Sequence, residues 1–230
     1  MKMIRRKQFP GKTAALALAL TTVILGGCGK SGQAAKPTEP SPTPAQAAVT
    51  ETAAPTAAPI KPVRQVGERF EGSFTFQGME EKVQYEHIRS DAVGFEMDLD
   101  YESFKRVADA DTERFVSVWD DPAKPENYLE VRADAGSAES VAEALTAELS
   151  KEYDVTTLEQ QLDSGARAIR LEASVVKGTN QMAENLNSVY IIPAPDGCRV
   201  AWVRCFVTDS EGFSLRVSKM VNTLTAIDRK

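Results

Sequence analysis

Gly94-Phe95-Glu96-Met97-Asp98-Leu99 alternates apolar and acidic side chains after an opening glycine. Period-two alternation of this kind marks a strand with one buried face. Phe95, Met97 and Leu99 then point into a core, and Glu96 and Asp98 point away from it. Just beyond, residues 101–107 read as a short turn or helix that sets Phe104 against the same core. Upstream, residues 69–76 and 82–88 read as two strands around Gln77-Gly78-Met79-Glu80, with Phe70, Phe74 and Phe76 sharing a face.

Downstream, strands are expected at 113–119 and 128–133, joined by Asp120-Asp121-Pro122 and Lys124-Pro125, residues that favour turns. Ser137 offers a helix N-cap with Glu139 in the first turn, for a helix running to about Tyr153. Its buried stripe is Val141, Leu145 and Leu149, widened by Ala142 and Ala144. Strands at 155–162 and 167–174 flank Asp163-Ser164-Gly165. A polar loop at 178–187 precedes strands at 189–192 and 199–207, which Pro195-Asp196-Gly197 joins. A last helix, 210–223, places Phe213, Val217, Met220, Val221 and Leu224 on one face. This order of hairpin-linked strands and helices argues an α+β fold, an antiparallel sheet with helices packed on it.

The opening Gly94-Phe95-Glu96-Met97-Asp98 followed by Phe104 resembles the start of the Mog1/PsbP-like domains. The mid-chain helix after the 128–133 strand, and a long strand running into a helix that ends in Thr223-Leu224, extend the likeness over roughly residues 90–230. The resemblance implies an α/β/α sandwich. It also implies binding to other macromolecules rather than a reaction, because photosystem subunits, a nuclear-transport GTPase cofactor and bacterial surface lipoproteins share that fold. The hairpin at 69–88 is extra to the pattern.

Residues 1–63 are of another kind. A basic stretch ends at Lys12, an uncharged run follows over 13–25, and small residues lead to Cys28. These are the three parts of a secretory signal, with an apolar run well short of the ~20 residues that span a bilayer. Leu25-Gly26-Gly27-Cys28 resembles the lipobox of bacterial lipoprotein precursors. The resemblance implies cleavage between Gly27 and Cys28 and a covalent diacylglycerol on the Cys28 thiol. Two acyl chains anchor a protein stably where one holds it only marginally. Gly11-Lys12-Thr13 imitates the end of a phosphate-binding loop, but Arg6 stands where the motif needs a glycine. Residues 28–63 then form a lipidated N-terminus and a disordered tether rich in Pro, Ala and Thr, too poor in apolar surface to offset its ordering entropy. The expected organisation is a signal peptide at 1–27, the tether at 28–63 and one α+β domain at 64–230.

The formal charge is −6, and residues 1–27 hold five basic residues and no acid, so cleavage would leave −11. Such a chain repels phosphate backbones, which argues against nucleic acid as a partner. Cys198 and Cys205 stand seven positions apart in one expected strand, roughly 23 Å at the rise of a strand and on opposite faces. A disulfide needs Cα atoms within about 7 Å, so both should be free thiols.

Chemistry-bearing patterns are few. His87 is the single histidine, with no second one to build a metal site. Cys198 or Cys205 with His87 would be a nucleophile–base pair in principle, and nothing in their spacing supports it. Asp109, Asp111 and Glu113 have the 1, 3, 5 spacing of a calcium loop with Asp120 at position 12, but Arg114 occupies the place of the turning glycine. A solvated acidic loop is the better reading. Trp119 and Trp202 both fall in expected strands, where core packing is the natural role. No catalytic, metal or cofactor residue is assigned. The expectation is an exported lipoprotein at the outer face of the cell membrane, held in the bilayer by its lipid. Its domain, non-catalytic, binds a protein or an envelope polymer. The alternative is an envelope enzyme acting on cell-wall glycan or peptide through carboxylates.

Overall fold

The computed structural model describes residues 63–109, 111–123 and 125–229. The signal segment, Leu25, Gly26, Gly27, Cys28 and the tether as far as residue 62 lie outside the described residues. The domain opens with a hairpin, β1 (Arg69–Phe76) and β2 (Met79–Ser90), followed by β3 (Phe95–Asp100), β4 (Phe104–Ala108), β5 (Thr112–Ser117) and β6 (Tyr128–Asp134). Helix α1 (Ala138–Leu149) leads to β7 (Tyr153–Gln161), β8 (Arg167–Val176), β9 (Met182–Ala194) and β10 (Gly197–Phe206). A single 3₁₀ turn, Val207–Asp209, runs into α2 (Ser210–Asn222), and β11 (Thr225–Ala226) closes the order.

The strands form two antiparallel sheets, one ordered β1-β2-β3-β11 and one ordered β4-β5-β6-β10-β9-β8-β7. In β1–β2, Phe76 pairs with Met79 across Gln77-Gly78, both of positive φ (49° and 80°). Two such residues make a turn whose twist matches the strands it joins, and a glycine takes that conformation without strain.

The expected α/β/α sandwich is corrected here. The domain is predominantly antiparallel β, and strands do the covering that helices were expected to do. On one face of the seven-stranded sheet lies α1, with Val141, Leu145 and Leu149 against Leu171, Val189, Ile191 and Val200. The other face is covered by the four-stranded sheet and α2 together. There Phe95, Met97 and Leu99 of β3 join Val217, Met220 and Val221 of α2 against Phe115, Leu129, Ile192 and Val203.

Two stretches of the seven-stranded sheet also differ from expectation. Residues 104–108 form an edge strand rather than a turn or helix, pairing Phe104 with Ser117 while still burying Phe104. The polar stretch 182–187 is the first half of β9, paired to β8 and β10, rather than a loop. Helix α1 begins where the cap predicts, Ser137 accepting from the Ser140 N–H, but stops at Leu149 because Tyr153 already starts β7. Ala144 faces solvent rather than the core. No helix among the described residues is long and apolar enough to cross a membrane.

The glycine that opens β3 has a long-range cause. Gly94 has φ 84°, and a Cβ there would lie 2.4 Å from a guanidinium nitrogen of Arg199. Arg199 is wholly buried, and it holds the two sheets to the segment after α2. Its Nε donates to Gly94 O (2.8 Å), Nη1 to Cys198 O (3.1 Å), and Nη2 to both Asp196 Oδ1 (2.6 Å) and Ile227 O (2.8 Å). Arg229 donates to the other oxygen of Asp196 at 2.6 Å. These two guanidinium groups, Arg199 first, hold the Asp196 carboxyl below the usual carboxylate range.

Candidate functional site

His87 is positioned by strand register. It lies directly across from Asp98, and its neighbour pair Arg89 and Glu96 lies on the same face. His87 Nδ1 is 2.7 Å from Asp98 Oδ1, and Nε2 is 3.7 Å from Glu96 Oε2. Arg64, ahead of β1, brings Nη1 to 3.3 Å from Asp98 Oδ2 and lays its guanidinium 3.6 Å from the Phe70 ring centroid. Arg89 binds Glu96 at 3.1 Å. Arg64, Phe70, His87, Glu96 and Asp98 line an open cleft of about 530 Å³ whose other walls include Tyr85, Asp163, Ser164 and Lys219. Burial, aided by the nearby Asp100 charge, pushes the Tyr85 hydroxyl up to about 12. Two of the three acids of the cleft, Asp98 and Glu96, thus carry a guanidinium partner, the arrangement of structural ion pairs.

The cysteines are elsewhere. Both are free and buried. Cys198 packs with α1, while Cys205 Sγ lies 3.2 Å from Ser214 Oγ of α2. The odd spacing does place them on opposite faces, and neither is joined to His87. Burial pushes the Cys198 thiol up to about 11, and burial raises Cys205 as well. A thiol so raised is a poor nucleophile at neutral pH. Thiol titration of the folded domain should therefore react slowly, and unfolding should release two reactive thiols from residues 63–229. A protected pair would contradict the structure.

The acids at 109–120 do not gather. Thr112–Ser117 is strand, and Glu113 turns inward to take both Arg106 Nε and Nη2 at 2.6 Å. Among the described residues no group of three or more His, Cys, Asp or Glu side chains is arranged to hold a metal.

The tryptophans separate. Trp202 is half-buried, its Nε1 donating to Asn187 Oδ1 at 3.0 Å. Trp119 is 82% exposed, which corrects its assignment to the core. It sits in the turn after β5, where the Asp120 N–H donates to Ser117 O. Trp119 directly precedes Asp120-Asp121-Pro122, and that turn signal should have placed it outside the strand. Beside it opens a second cleft of about 430 Å³, lined by Phe104, Asp120, Asn127, Asp209 and Phe213. Phe104 and Phe213 meet edge to face at 5.6 Å. Asn127 donates to Asp209 Oδ2 (2.8 Å) and accepts from Phe206 N–H (2.7 Å), fixing the wall to the end of β10.

No family model matches the chain, and no curated protein matches it. Among solved structures it is similar to the solution structure of cyanobacterial PsbP (CyanoP) from Synechocystis sp. PCC 6803. The match covers 74% of this chain and 99% of that one, at 11% identity and a TM-score of 0.41. A superposition that loose says nothing about what the chain does.

Proposed function

We propose that the chain is an exported lipoprotein, held at the outer face of the cell membrane by a diacylglycerol on Cys28, whose domain is a non-catalytic binding module for a protein or envelope polymer. The address rests on Leu25-Gly26-Gly27-Cys28 and the basic and apolar segments ahead of it. The binding role rests on one observation, an 82%-exposed tryptophan at the lip of an open cleft. Tryptophan buries a large area when covered and is enriched among the residues that dominate interfaces. The enzyme alternative would draw on Glu96 and Asp98, and their pairing with Arg89 and Arg64 counts against it.

Replacing Cys28 by serine tests the address. The protein should move from the membrane to the soluble fraction on cell fractionation, and retention in the membrane would overturn the lipoprotein reading.

A further inference from the structure

We propose that the cleft beside Trp119 docks a polypeptide segment through an inserted lysine or arginine side chain. This rests on reading the domain as a binding module, and names the partner's chemistry. The cleft has an apolar floor, Phe104 and Phe213, and carboxylates in its wall, Asp120 and Asp209. Asp120 Oδ2 is shut off from solvent, yet it meets no hydrogen-bond donor among the described residues. A carboxylate oxygen that has lost water without gaining a donor is costly, and a cation resting at the cleft mouth offsets that charge through space without touching the sealed oxygen.

The cations around the cleft are committed elsewhere. Arg216 lines it, but its guanidinium donates to Asp100 Oδ2 (3.0 Å), Ser103 Oγ (3.2 Å) and Glu81 Oε2 (2.8 Å). The Lys105 ammonium donates to the backbone carbonyls of Val118 and Asp120 rather than to the Asp120 carboxylate. The positive end of α2 could favour an anion here, but Asp209 and Glu211 already flank it. The electrostatics therefore select a cation. The Trp119 indole supplies the face on which an ammonium or guanidinium group rests favourably.

A peptide fits better than a lone small cation because the cleft itself offers apolar surface, Phe104 and Phe213 in its floor and the exposed Trp119 at its lip. Residues flanking the inserted cation would cover these side chains. Over residues 63–230 there are 31 acidic and 19 basic residues, a balance that draws a basic partner in from a distance.

The test is anisotropy of a fluorescein-labelled Ala-Lys-Ala-Lys-Ala peptide titrated with the full chain carrying Cys28→Ser. Binding should saturate, weaken with added salt, and fall about tenfold or more in Trp119→Ala and in Asp120→Asn. Glu139→Gln on α1 should leave it unchanged. The same peptide with glutamine for lysine should bind at least about tenfold more weakly. Trp119 is exposed and Asp120→Asn is isosteric, so both variants should keep the parent melting temperature. Absence of saturation, equal binding of the glutamine peptide, or binding within twofold of the parent in both variants would overturn the proposal. Because this chain is unlipidated, failure here leaves the anchor standing, and membrane retention of Cys28→Ser in cells leaves this cleft standing.

Discussion

Arg199→Ala is expected to lower the unfolding free energy by about 3–5 kcal/mol, because it empties a wholly buried site and removes the donors of backbone carbonyls in two sheets and the segment after α2. The loss is not chiefly that of attraction. Ile227 O and Cys198 O lose the guanidinium donors that now reach them, and a buried carbonyl stripped of its donor costs about 1–3 kcal/mol, whereas Gly94 O keeps the Ile227 N–H. The Asp196 carboxyl also loses the larger of the two influences that depress it, so its titration should move up toward the ordinary carboxylate range. Lysine at this position should recover only part of the loss, because one ammonium cannot span acceptors that the guanidinium reaches with three separate nitrogens. Urea unfolding measures the first effect and NMR titration of Asp196 the second. An unfolding curve coincident with the parent's would show that Arg199 does not hold these elements together.

Phe95→Ala should be comparably severe, about 3–5 kcal/mol. The ring is completely buried where the two sheets meet, edge to face with Phe115 at 6.3 Å between centroids. Its removal deletes that contact and leaves a void that neighbours on two sheets cannot collapse to fill. For a domain of this size the melting temperature should fall by roughly 6–20 °C. Phe95→Leu, which refills most of the volume, should cost less than the alanine variant. Calorimetry of the two variants separates the cases, and equal melting temperatures for Phe95→Ala and the parent would refute the inter-sheet position.

What the sequence disclosed and what it withheld divide along contact range. The apolar face of β3, the turn at Gln77-Gly78 and the Ser137 cap are each decided by neighbours within a few residues, and each stands in the structure. Asp98, however, expected to face outward, is buried beside His87 and Arg64, and Met79 and Glu80 belong to β2 rather than to the turn. β9 was hidden because Glu184, Asn185 and Asn187 suggest a loop. Ladder bonds to β8 and β10 make that stretch a strand, and Asn187 spends its side-chain oxygen on Trp202, fifteen residues away. The covering of one sheet by another was hidden for the same reason, since no local pattern says what an apolar face will meet. At the clefts, His87 was visible as a residue, but its pairing with Asp98 depends on β2–β3 register. Asn127 and Asp209, 82 positions apart, meet only in the finished fold.

The joint at Gly94 also fixes a chronology. Ile227 returns its N–H to Gly94 O (2.9 Å) and offers its carbonyl to Arg199, so three points spread over 133 positions, from 94 to 227, meet at one joint. While residues up to Arg199 are being made, that guanidinium has no Ile227 to meet, and β3 lacks its β11 neighbour. The domain can therefore assemble both sheets in outline and still lack its latch until position 227 arrives.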